Sequence, residues 1–286
     1  MSNLLNLDRF SFLKDILPFL QRYFGSTFVI KYGGSVIQND LLKSDVIKDI
    51  CLLHCLGINI VLVHGGGFLI NHWLHKLKIQ PKFVDGVRVT DSDTMQVVEM
   101  VLTGKINNEL VSLLNQNNVF SVGLCGKDGN LIKASSLSNM PNNLTGKVDY
   151  VDNKIINLLL SNKCIPVVAS VASDFNGKTY NINADAVASS IASSLKADKL
   201  ILLTDTPGIL SDLHNSSTLI RYLNLDKIKH LQLNNIISGG MIPKVNSCVS
   251  ALNSHVRSAH IIDGRVKHSL LYEVFTKQRI GSMIVF

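Results

Sequence analysis

Phe28-Val29-Ile30-Lys31 is a short apolar run that leads directly into Tyr32-Gly33-Gly34-Ser35. The same order returns further along, where an apolar run ends in His64 and continues as Gly65-Gly66-Gly67 at the head of a stretch with helical period. Glycines in such turns let backbone N–H groups approach an anion, and the N-terminus of the following helix adds a favourable dipole. Because ligands of open α/β sheets bind at the carboxyl ends of the strands, the two turns predict an anion-binding site.

Short β-branched runs alternate with amphipathic stretches over the rest of the chain, which is the pattern of an α/β protein. Most of these runs are apolar throughout, as expected for parallel strands that are covered on both faces. The predicted strands lie at 28–31, 58–64, 120–125, 165–171, 200–204, 259–262 and 283–286. The predicted helices lie at 40–56, 67–78, 93–117, 153–161, 184–196, 226–233, 241–253 and 268–276. Turn signals within residues 126–150 predict a small antiparallel β insertion.

The first 25 residues form a separate apolar segment ahead of the first predicted strand. Its large apolar residues recur at helical spacing, and they are Leu4, Leu7, Phe10, Leu13, Ile16, Leu17, Leu20 and Phe24. Pro18 interrupts this helix and is predicted to kink it. So much apolar surface must be covered, either by the same domain or by another subunit.

Composition excludes several classes of protein. The 286-residue chain has a net charge of +7, but its basic residues are scattered singly without interleaved aromatics, which favours small anionic ligands over nucleic acid. No apolar run approaches the roughly 18 residues of a membrane span, so no membrane association is expected. The cysteines form no C-x-x-C pair, and we expect no metal site built from protein side chains.

Established phosphate-binding motifs do not fit this chain. Gly177-Lys178-Thr179 resembles the end of a P-loop, but Ala172 stands where the first glycine is required. Ile70 stands where a dinucleotide fingerprint needs its third glycine, and no protein-kinase catalytic loop is present. The chain is therefore a poor fit to P-loop NTPases, Rossmann dehydrogenases and protein kinases.

Three further segments carry candidate site residues. Gly86-Val87-Arg88-Val89-Thr90 places an arginine where its planar fork can hold a carboxylate. Asn181-Ile182-Asn183-Ala184-Asp185 lies at a predicted helix start, so Asn183 and Asp185 are either helix caps or site residues. Ser238-Gly239-Gly240 leads through Met241 to Lys244. Two lysines, Lys31 and Lys244, with one carboxylate between them are suited to neutralising a phosphoryl group during transfer.

These segments, together with Leu-x-Thr204-Asp205-x-x-Gly208, resemble the amino acid kinase family in order and spacing from about residue 28 to the end. The Arg88 and Asn181–Asp185 segments resemble the branch that phosphorylates N-acetyl-L-glutamate. The resemblance implies a three-layer α/β sandwich around a mainly parallel open sheet, with the kinked helix as an N-terminal extension. It also implies three parts: an oligomerisation helix at 1–25, an acetylglutamate-binding and dimerisation lobe at 26–196, and an ATP-binding lobe at 197–286.

The resemblance assigns roles to individual residues. The catalytic set is Lys31, Lys244 and Asp185, and the substrate-binding set is Gly66, Gly67, Arg88 and Asn181. The residues that bind phosphoryl groups and nucleotide are Gly33, Gly34, Thr204, Asp205, Gly208 and Gly240. The implied reaction is attack by the γ-carboxylate of N-acetyl-L-glutamate on ATP bound with Mg²⁺, in the second step of arginine biosynthesis. A carboxylate nucleophile needs no general base, so we expect His64 to be structural.

Two alternative functions stay open at this point. The first is another carboxylate kinase of the same fold, such as an aspartokinase. The second is a regulatory module that keeps the fold without catalysis. The presence of both lysines and of Asp185 argues against the second alternative.

The resemblance also predicts regulation and assembly. The arginine-inhibited members carry a similar N-terminal helix, which joins three dimers into a hexamer, and their arginine site corresponds here to Tyr23, His260 and Glu273. This chain has Arg279 where that pattern has glycine. A PII signal protein is an open partner. The abundance of Asn and the excess of Lys over Arg are typical of an AT-rich genome, so we expect the chloroplast stroma for a plastid-encoded chain and otherwise the bacterial cytoplasm.

Overall fold

The computed structural model describes residues 4–33, 39–84, 87–137, 140, 142–213 and 215–286, with side chains from residue 14 onward. Its helices are α1 (Leu4–Tyr23), α2 (Asp40–Cys55), α3 (Gly67–Lys76), α4 (Ser92–Glu99), a π-helix (Met100–Ile106), α5 (Asn107–Gln116), α6 (Lys154–Ser161), α7 (Ala184–Leu195), α8 (Leu225–Leu233), α9 (Met241–Asn253) and α10 (Ser269–Phe275). Within these ranges, no helix has the length and apolar character needed to cross a membrane.

The strands follow the predicted order with several additions. They are β1 (Thr27–Tyr32), β2 (Asn59–His64), β3 (Lys82–Val84), β4 (Val87–Val89), β5 (Ser121–Cys125), β6 (Ile132–Ser136), β7 (Thr145–Val151), β8 (Ile165–Ala169), β9 (Val171–Ser173), β10 (Thr179–Ile182), β11 (Lys199–Thr204), β12 (Tyr222–Leu223), β13 (Ser258–Asp263) and β14 (Ser282–Ile284). Each predicted strand is present, with most of its bounds shifted by one or two residues.

Eight of the strands form one open sheet in the order β12-β14-β13-β11-β1-β2-β8-β5. Every neighbouring pair is parallel except β13 and β14. The predicted mainly parallel α/β sheet is therefore confirmed. Lys31 on β1 lies opposite Val63 on β2 and Leu202 on β11, so the carboxyl ends of these three strands meet at one edge.

The sheet separates two hydrophobic cores. Phe28 and Ile30 of β1 belong to one core, whereas Val29 between them belongs to the other. This alternation follows from the two-residue period of a strand, whose successive side chains point to opposite faces. Helices cover both faces, since Ile47 of α2 packs in the first core and Val187 of α7 in the second. The predicted three-layer arrangement follows.

The β insertion is larger than predicted. Strands β6 and β7 are antiparallel, as expected for residues 126–150, but they join β9 and β10 in a closed barrel of order β10-β7-β6-β9. A separate hairpin of β3 and β4 was not predicted at all. Each of its strands has only three residues, which is too short for a periodic signal, although Asp85-Gly86 is a typical hairpin dipeptide.

Helix α1 packs partly on its own chain. Its side chains Ile16, Phe19 and Leu20 contact the first core and Tyr23 is buried, whereas Leu17 is half exposed. Pro18 lies inside this helix, which extends on both sides of it. The side chains of Leu4, Leu7, Phe10 and Leu13 lie outside the described part of the chain. The same-domain alternative therefore accounts for the C-terminal half of the apolar stripe.

The helix predicted at 93–117 is divided by the π-helix. A π-helix accommodates an extra residue. The apolar pattern of these residues nevertheless continues that of the helices on either side, so the sequence does not reveal the π-helix. The buried Asn107 begins α5 directly after the π-turn, and its Nδ2 donates to the carbonyl oxygen of Val167 at 2.9 Å. The same nitrogen lies 3.1 Å from Nε2 of the buried His64. Asn107 thus joins the helix to strands β2 and β8.

We predict that Asn107→Ala lowers the free energy of unfolding by roughly 2 kcal/mol, because it leaves the buried His64 Nε2 and the Val167 carbonyl without their donor. Asn117→Ala is the matched control, since its Nδ2 makes one exposed bond to the Leu113 carbonyl, and it should change stability by less than about 0.5 kcal/mol. Urea unfolding followed by circular dichroism measures both. Equal effects of the two substitutions would contradict the role of Asn107.

Candidate active site

A cavity of about 280 Å³ opens at the carboxyl end of β1 and β2. It brings together residues that are far apart in the sequence. Of the predicted site residues, those that line it are Lys31, Gly33, Gly66, Gly67, Arg88, Asn181, Asp185 and Lys244. Gly34 lies outside the described residues. The predicted catalytic and substrate-binding residues thus share one cavity.

Asp185 lies between the two lysines. Its Oδ1 is 3.0 Å from Nζ of Lys31, and its Oδ2 accepts a hydrogen bond of 2.9 Å from Nζ of Lys244. Burial alone would raise the pKa of the Asp185 carboxyl, but the two lysine cations outweigh burial and lower that pKa to about 2. Asp185 is therefore ionised near neutral pH, and each of its two oxygens faces a lysine Nζ.

Helix capping places this carboxylate. The side-chain oxygen of Asn183 accepts from the backbone N–H of Asp185 at 2.8 Å and of Ala186 at 3.3 Å, so Asn183 is the N-cap of α7. Asp185 then falls in the first turn of the helix with its side chain turned to the lysines. Of the two candidates for a capping role, Asn183 caps the helix and Asp185 does not.

Two glycines make room for the neighbouring side chains. A Cβ on Gly33 would collide with Nζ and Cε of Lys31, so a larger residue would displace the lysine. A Cβ on Gly66 would collide with Ile106 and with Leu102, both on the π-helix. The glycine turn therefore lies directly on the π-helix. Gly67 begins α3, whose first N–H groups have no partner within the helix and can bind an anion.

Arg88 is a buried cation with an unused donor. Its Nη2 donates to the carbonyl oxygen of Gly67 at 3.2 Å, and its guanidinium lies 4.8 Å from the ring centroid of Phe83. Its Nη1 is buried and has no hydrogen-bond partner within the described chain. Burial lowers the pKa of Arg88, which reflects the cost of holding this charge without an anion. A ligand carboxylate at Nη1 would satisfy that donor.

The other walls of the cavity are uncharged. Asn181 lines it and donates from Nδ2 to the hydroxyl oxygen of Thr90 at 3.1 Å. Apolar side chains complete the lining, among them Ile70, Val87 and Leu102. Asp185, already paired with two lysines, is the one carboxylate among the lining residues. The cavity thus suits an anionic ligand that also carries a neutral group.

Of the predicted nucleotide residues, Gly33 lines this cavity, whereas Thr204, Asp205, Gly208 and Gly240 do not. Thr204 and Asp205 lie at the carboxyl end of β11, the strand beside β1, and the charge of Asp205 acts to raise the pKa of Lys31, which burial lowers overall. Gly208 has a φ of +142° and lies against Ser282, where a Cβ would meet the Ser282 hydroxyl at 2.6 Å. Gly240 is the N-cap of α9, the helix that carries Lys244. Their role in nucleotide binding stays a prediction.

His64 has the structural role expected of it. It is fully buried, and burial lowers its pKa to about 4, so the imidazole is neutral near pH 7. Its Nδ1 donates to the carbonyl oxygen of Gly65 at 3.1 Å, and its Nε2 accepts from Asn107. The imidazole therefore holds the glycine turn.

Sequence reasoning missed two threonines at the site. Thr145 lines the cavity, and its hydroxyl donates to the Arg88 carbonyl oxygen at 2.6 Å. Thr90 is fully buried beside it. Thr90 belongs to a segment that the sequence singled out for its arginine, whereas Thr145 lies in the β insertion, where no motif marks it.

A second polar cluster lies at the opposite ends of β11 and β13, under helix α1. Nδ1 of His260 is 2.8 Å from Oε1 of Glu273, and Nζ of Lys199 is 3.2 Å from Nε2 of His260. The Lys199 ammonium also lies 4.9 Å from the ring centroid of Tyr23. Burial lowers the pKa of Lys199 to about 7 and that of His260 to about 4. The structure therefore brings Tyr23, His260 and Glu273 together.

Donors from the same chain already surround this cluster. The backbone N–H of Gly281 donates to Oε2 of Glu273 at 3.2 Å, and the guanidinium of Arg279 donates to the Glu273 carbonyl oxygen. A cavity of about 870 Å³ adjoins the cluster, lined among others by Arg22, Phe275 and Arg279. Arg279, which departs from the expected glycine, thus lies between the cluster and this cavity.

A parallel sheet with two lysines, one carboxylate and glycine turns at its edge defines a class of phosphotransferases. The model of the amino acid kinase family matches residues 26–263, and the chain belongs to that family.

Its relatives within the family are similar over nearly the whole chain. An acetylglutamate kinase of Gracilaria tenuistipitata var. liui is 58% identical over 98% of this chain and 99% of the relative. Acetylglutamate kinases of Thermosynechococcus vestitus and Nostoc punctiforme are each 52% identical, over 97% and 96% of this chain and 94% and 92% of theirs.

Solved structures agree on the fold. A protein of Streptococcus mutans UA159 is 29% identical with a TM-score of 0.77, over 91% of this chain and 98% of that one. The N-acetylglutamate synthase of Neisseria gonorrhoeae, complexed with coenzyme A and N-acetyl-glutamate, has a TM-score of 0.85 at 24% identity. This chain is covered over 96% of its length, whereas it spans 63% of the synthase chain.

We predict that Lys31→Met and Lys244→Met each lower kcat by about a hundredfold or more while the protein stays folded. Each change removes a cation that is needed when charge redistributes during transfer, yet leaves Asp185 one lysine partner. The exposed Lys48 gives the control, because Lys48→Met should leave kcat within about twofold of the parent. Phosphotransfer kinetics and circular dichroism measure the two effects. Normal turnover by folded Lys244→Met protein would remove that lysine from the reaction.

Proposed function

We propose that this chain phosphorylates the γ-carboxylate of N-acetyl-L-glutamate with ATP to give N-acetyl-L-glutamyl 5-phosphate, the second step of arginine biosynthesis. The observation that carries the proposal is the cavity itself. It contains three cations, Lys31, Lys244 and Arg88, and its carboxylate Asp185 is already paired. Family membership and the names of relatives at 50–58% identity support the same activity.

The proposed chemistry is direct transfer. An oxygen of the γ-carboxylate attacks the γ-phosphorus of ATP, and the bond from that phosphorus to the β–γ bridging oxygen breaks, so ADP leaves with the electron pair. Lys31 and Lys244 stabilise the charge that spreads over the phosphoryl oxygens, and Asp185 holds both ammonium groups in place. The proton count does not change at the nucleophile, so no basic side chain is required.

Mg²⁺ is proposed to enter bound to the phosphates of ATP. No group of three His, Cys, Asp or Glu side chains suited to a metal ion is found within the described ranges. Mg²⁺ commonly keeps several waters and binds through substrate phosphates, which fits a site without a side-chain cage.

The polarity of the cavity favours an acylated substrate over a free amino acid. A free α-ammonium group needs a carboxylate or several acceptors, but Asp185 is committed to two lysines. An acetamido group is neutral and fits beside Asn181 and the apolar side chains of Ile70 and Leu102. The alternative of an aspartokinase is less favoured for this reason. A purely regulatory module is less favoured because the complete cation pair and its carboxylate are in place.

The test of this proposal is a turnover screen. ADP release from MgATP is measured with N-acetyl-L-glutamate, glutamate, aspartate, carbamate and UMP under identical conditions. The proposal predicts that N-acetyl-L-glutamate has the highest kcat/KM of the five. A higher value for aspartate would establish the alternative kinase, and no turnover with any acceptor would favour the regulatory module.

The nucleotide is proposed to bind beside the cavity, in the lobe of residues 197–286. Thr204 and Asp205 lie at the end of β11 next to Lys31, and Gly240 immediately precedes the helix of Lys244. Gly208 keeps the following turn narrow against Ser282, and Gly33 lies against the Lys31 side chain. Gly34 is proposed to bind the phosphoryl group on the resemblance alone. Residues 26–196 would then form the lobe that binds acetylglutamate and pairs subunits.

We predict that Arg88→Lys raises the KM for N-acetyl-L-glutamate by about tenfold or more and leaves the KM for ATP within about twofold. Lysine keeps the charge but loses the planar fork that binds a carboxylate through two hydrogen bonds. Arg257→Lys is the control, because the Arg257 side chain is 81% exposed and neither Arg257 nor its ion-pair partner Asp198 lines the cavity. Steady-state kinetics with each substrate varied decide the matter. A change in the KM for ATP alone would reverse the assignment of the two lobes to acetylglutamate and ATP.

We further propose that residues 1–25 join dimers into a hexamer, a trimer of dimers. The C-terminal half of α1 packs on its own core. The sequence of residues 4–13 continues the apolar stripe at helical spacing, and we propose that another subunit covers it. We propose the chloroplast stroma or the bacterial cytoplasm as the compartment of this protein. The origin of its relatives in cyanobacteria and algae is consistent with either compartment. A PII signal protein stays a proposed partner on the resemblance alone.

We predict that deleting residues 1–13 converts the hexamer to dimers and leaves kcat within about twofold. The deletion spares Ile16, Phe19, Leu20 and Tyr23, which pack on the core, and every catalytic residue begins at or after Lys31. Sedimentation velocity of both chains measures the assembly. An unchanged oligomer in the shortened protein would place the stripe on its own subunit.

Arginine is the proposed effector, bound beside Tyr23, His260 and Glu273 in the cavity under α1. We predict that arginine raises the acetylglutamate concentration needed for half-maximal rate, and that Arg279→Gly strengthens this response. Arg279 already places a guanidinium against the Glu273 backbone and would compete with the free amino acid. Kinetics with and without arginine measure the effect. An acetylglutamate dependence that arginine leaves unchanged in both proteins would remove this regulation and leave the catalytic proposal intact.

A further inference from the structure

Two buried hydroxyls connect the residues proposed to hold the substrate. Thr90 follows β4, the strand of Arg88, and Thr145 begins β7, which pairs with β10, the strand of Asn181. Thr90 is fully buried and Thr145 is 4% exposed. Their hydroxyl oxygens are 3.3 Å apart, so they lie at the junction of the three strands.

Each hydroxyl has a distinct partner. Thr145 Oγ1 donates to the Arg88 carbonyl oxygen at 2.6 Å. Thr90 Oγ1 accepts from Nδ2 of Asn181 at 3.1 Å and donates to the same Arg88 carbonyl oxygen at 3.4 Å. One hydroxyl therefore holds the backbone that carries Arg88, and the other holds the amide of Asn181.

Backbone bonds make this junction rigid. The side-chain oxygen of Asn143 accepts from the N–H groups of both Thr90 and Thr145, each at 3.1 Å. The N–H of Leu144 donates to the Thr90 carbonyl at 2.6 Å, and the N–H of Asn181 donates to the Leu144 carbonyl at 2.9 Å. Neither threonine can move without breaking bonds on the neighbouring strands.

The bond to Thr90 fixes which way the Asn181 amide faces. Because Nδ2 donates one hydrogen to Thr90, the orientation of the amide is fixed and Oδ1 points away from Thr90 in the amide plane. No described residue donates to this Oδ1, while Asn181 lines the cavity. An acceptor held in this way suits the N–H of an acylated amine.

We propose that Thr90 and Thr145 are positioning residues that give the site its selectivity for an acylated amine: Thr90 orients Asn181 toward the amide N–H, and Thr145 holds the strand of Arg88 against the substrate carboxylate. This inference rests on the proposed function. It adds two residues that touch no reacting atom and act through Asn181 and Arg88.

The experiment compares N-acetyl-L-glutamate with glutarate, which has both carboxylates but no acylamino group. Thr90→Val keeps the shape and removes the acceptor of Asn181. We expect it to raise the KM for N-acetyl-L-glutamate by about tenfold, because a fixed amide hydrogen bond is lost. The inhibition constant of glutarate, kcat and the KM for ATP should each stay within about twofold.

Thr145→Val should behave differently, because Arg88 serves both compounds. We expect it to weaken N-acetyl-L-glutamate and glutarate by similar factors, again without a change in the KM for ATP. Thr90→Ser restores the hydroxyl and should return the KM to within about twofold of the parent. Thr103→Val is the control, since the Thr103 hydroxyl bonds to the Glu99 carbonyl four residues earlier and makes no other hydrogen bond within the described residues.

A double-mutant cycle covers the case in which Thr90→Val perturbs folding. Thr90→Val should cost little more in a protein that already carries Asn181→Ala, because the two residues act through one bond. Additive effects, equal weakening of glutarate by Thr90→Val, or failure of Thr90→Ser to restore binding would overturn the inference. The parent enzyme distinguishes failure of this inference from failure of the proposed function. Lack of turnover of N-acetyl-L-glutamate by the parent enzyme would refute the proposed function itself.

Discussion

One buried carboxylate organises the site. Asp185 binds the ammonium groups of Lys31 and Lys244, which lie 213 residues apart in the sequence (244 − 31), at 3.0 and 2.9 Å. Burial lowers the pKa of Lys31 and favours its neutral form, whereas the neighbouring Asp185 carboxylate acts to raise that pKa. The arrangement depends in turn on the Asn183 cap, which starts α7 so that Asp185 faces the sheet edge. Loss of that one carboxylate would leave two cations close together without a partner.

The sheet brings these charges together. Its order places β1 between β11 and β2, so Lys31 lies beside both the Gly65–Gly67 turn and the Thr204–Asp205 segment. Because Gly66 has no Cβ, that turn packs directly against the π-helix. His64 bonds to the Gly65 carbonyl oxygen and is itself held by Asn107. The donors of α3 are therefore held rigidly before a ligand arrives, which lowers the entropy that binding would otherwise cost.

Features with a regular hydrophobic period or with charged residues could be predicted from the sequence. Features that depend on tertiary contacts could not. Continuous apolar runs identified β1, β2 and β11, since strands covered on both faces need them. Glycine turns identified the lysine and arginine segments. The π-helix stayed hidden because it shares the apolar pattern of α4 and α5. The pairing of Thr90 with Thr145 stayed hidden because it depends on tertiary contacts between the end of β4 and the start of β7. Whether Asn183 or Asp185 is the cap was undecidable from residue type alone, since both are good N-caps.

The ionisation of Asp185 tests the account most directly. Carboxyl ¹³C NMR, with the Asp185 signal assigned by its loss in Asp185→Asn protein, can follow this group from pH 7 to pH 4. The account predicts a flat chemical shift over that range, because the two lysines hold the pKa at about 2. A shift that is already close to half complete at pH 4, the behaviour of an ordinary aspartate with a pKa of about 3.9, would show that the lysines do not share this carboxylate and would contradict the account.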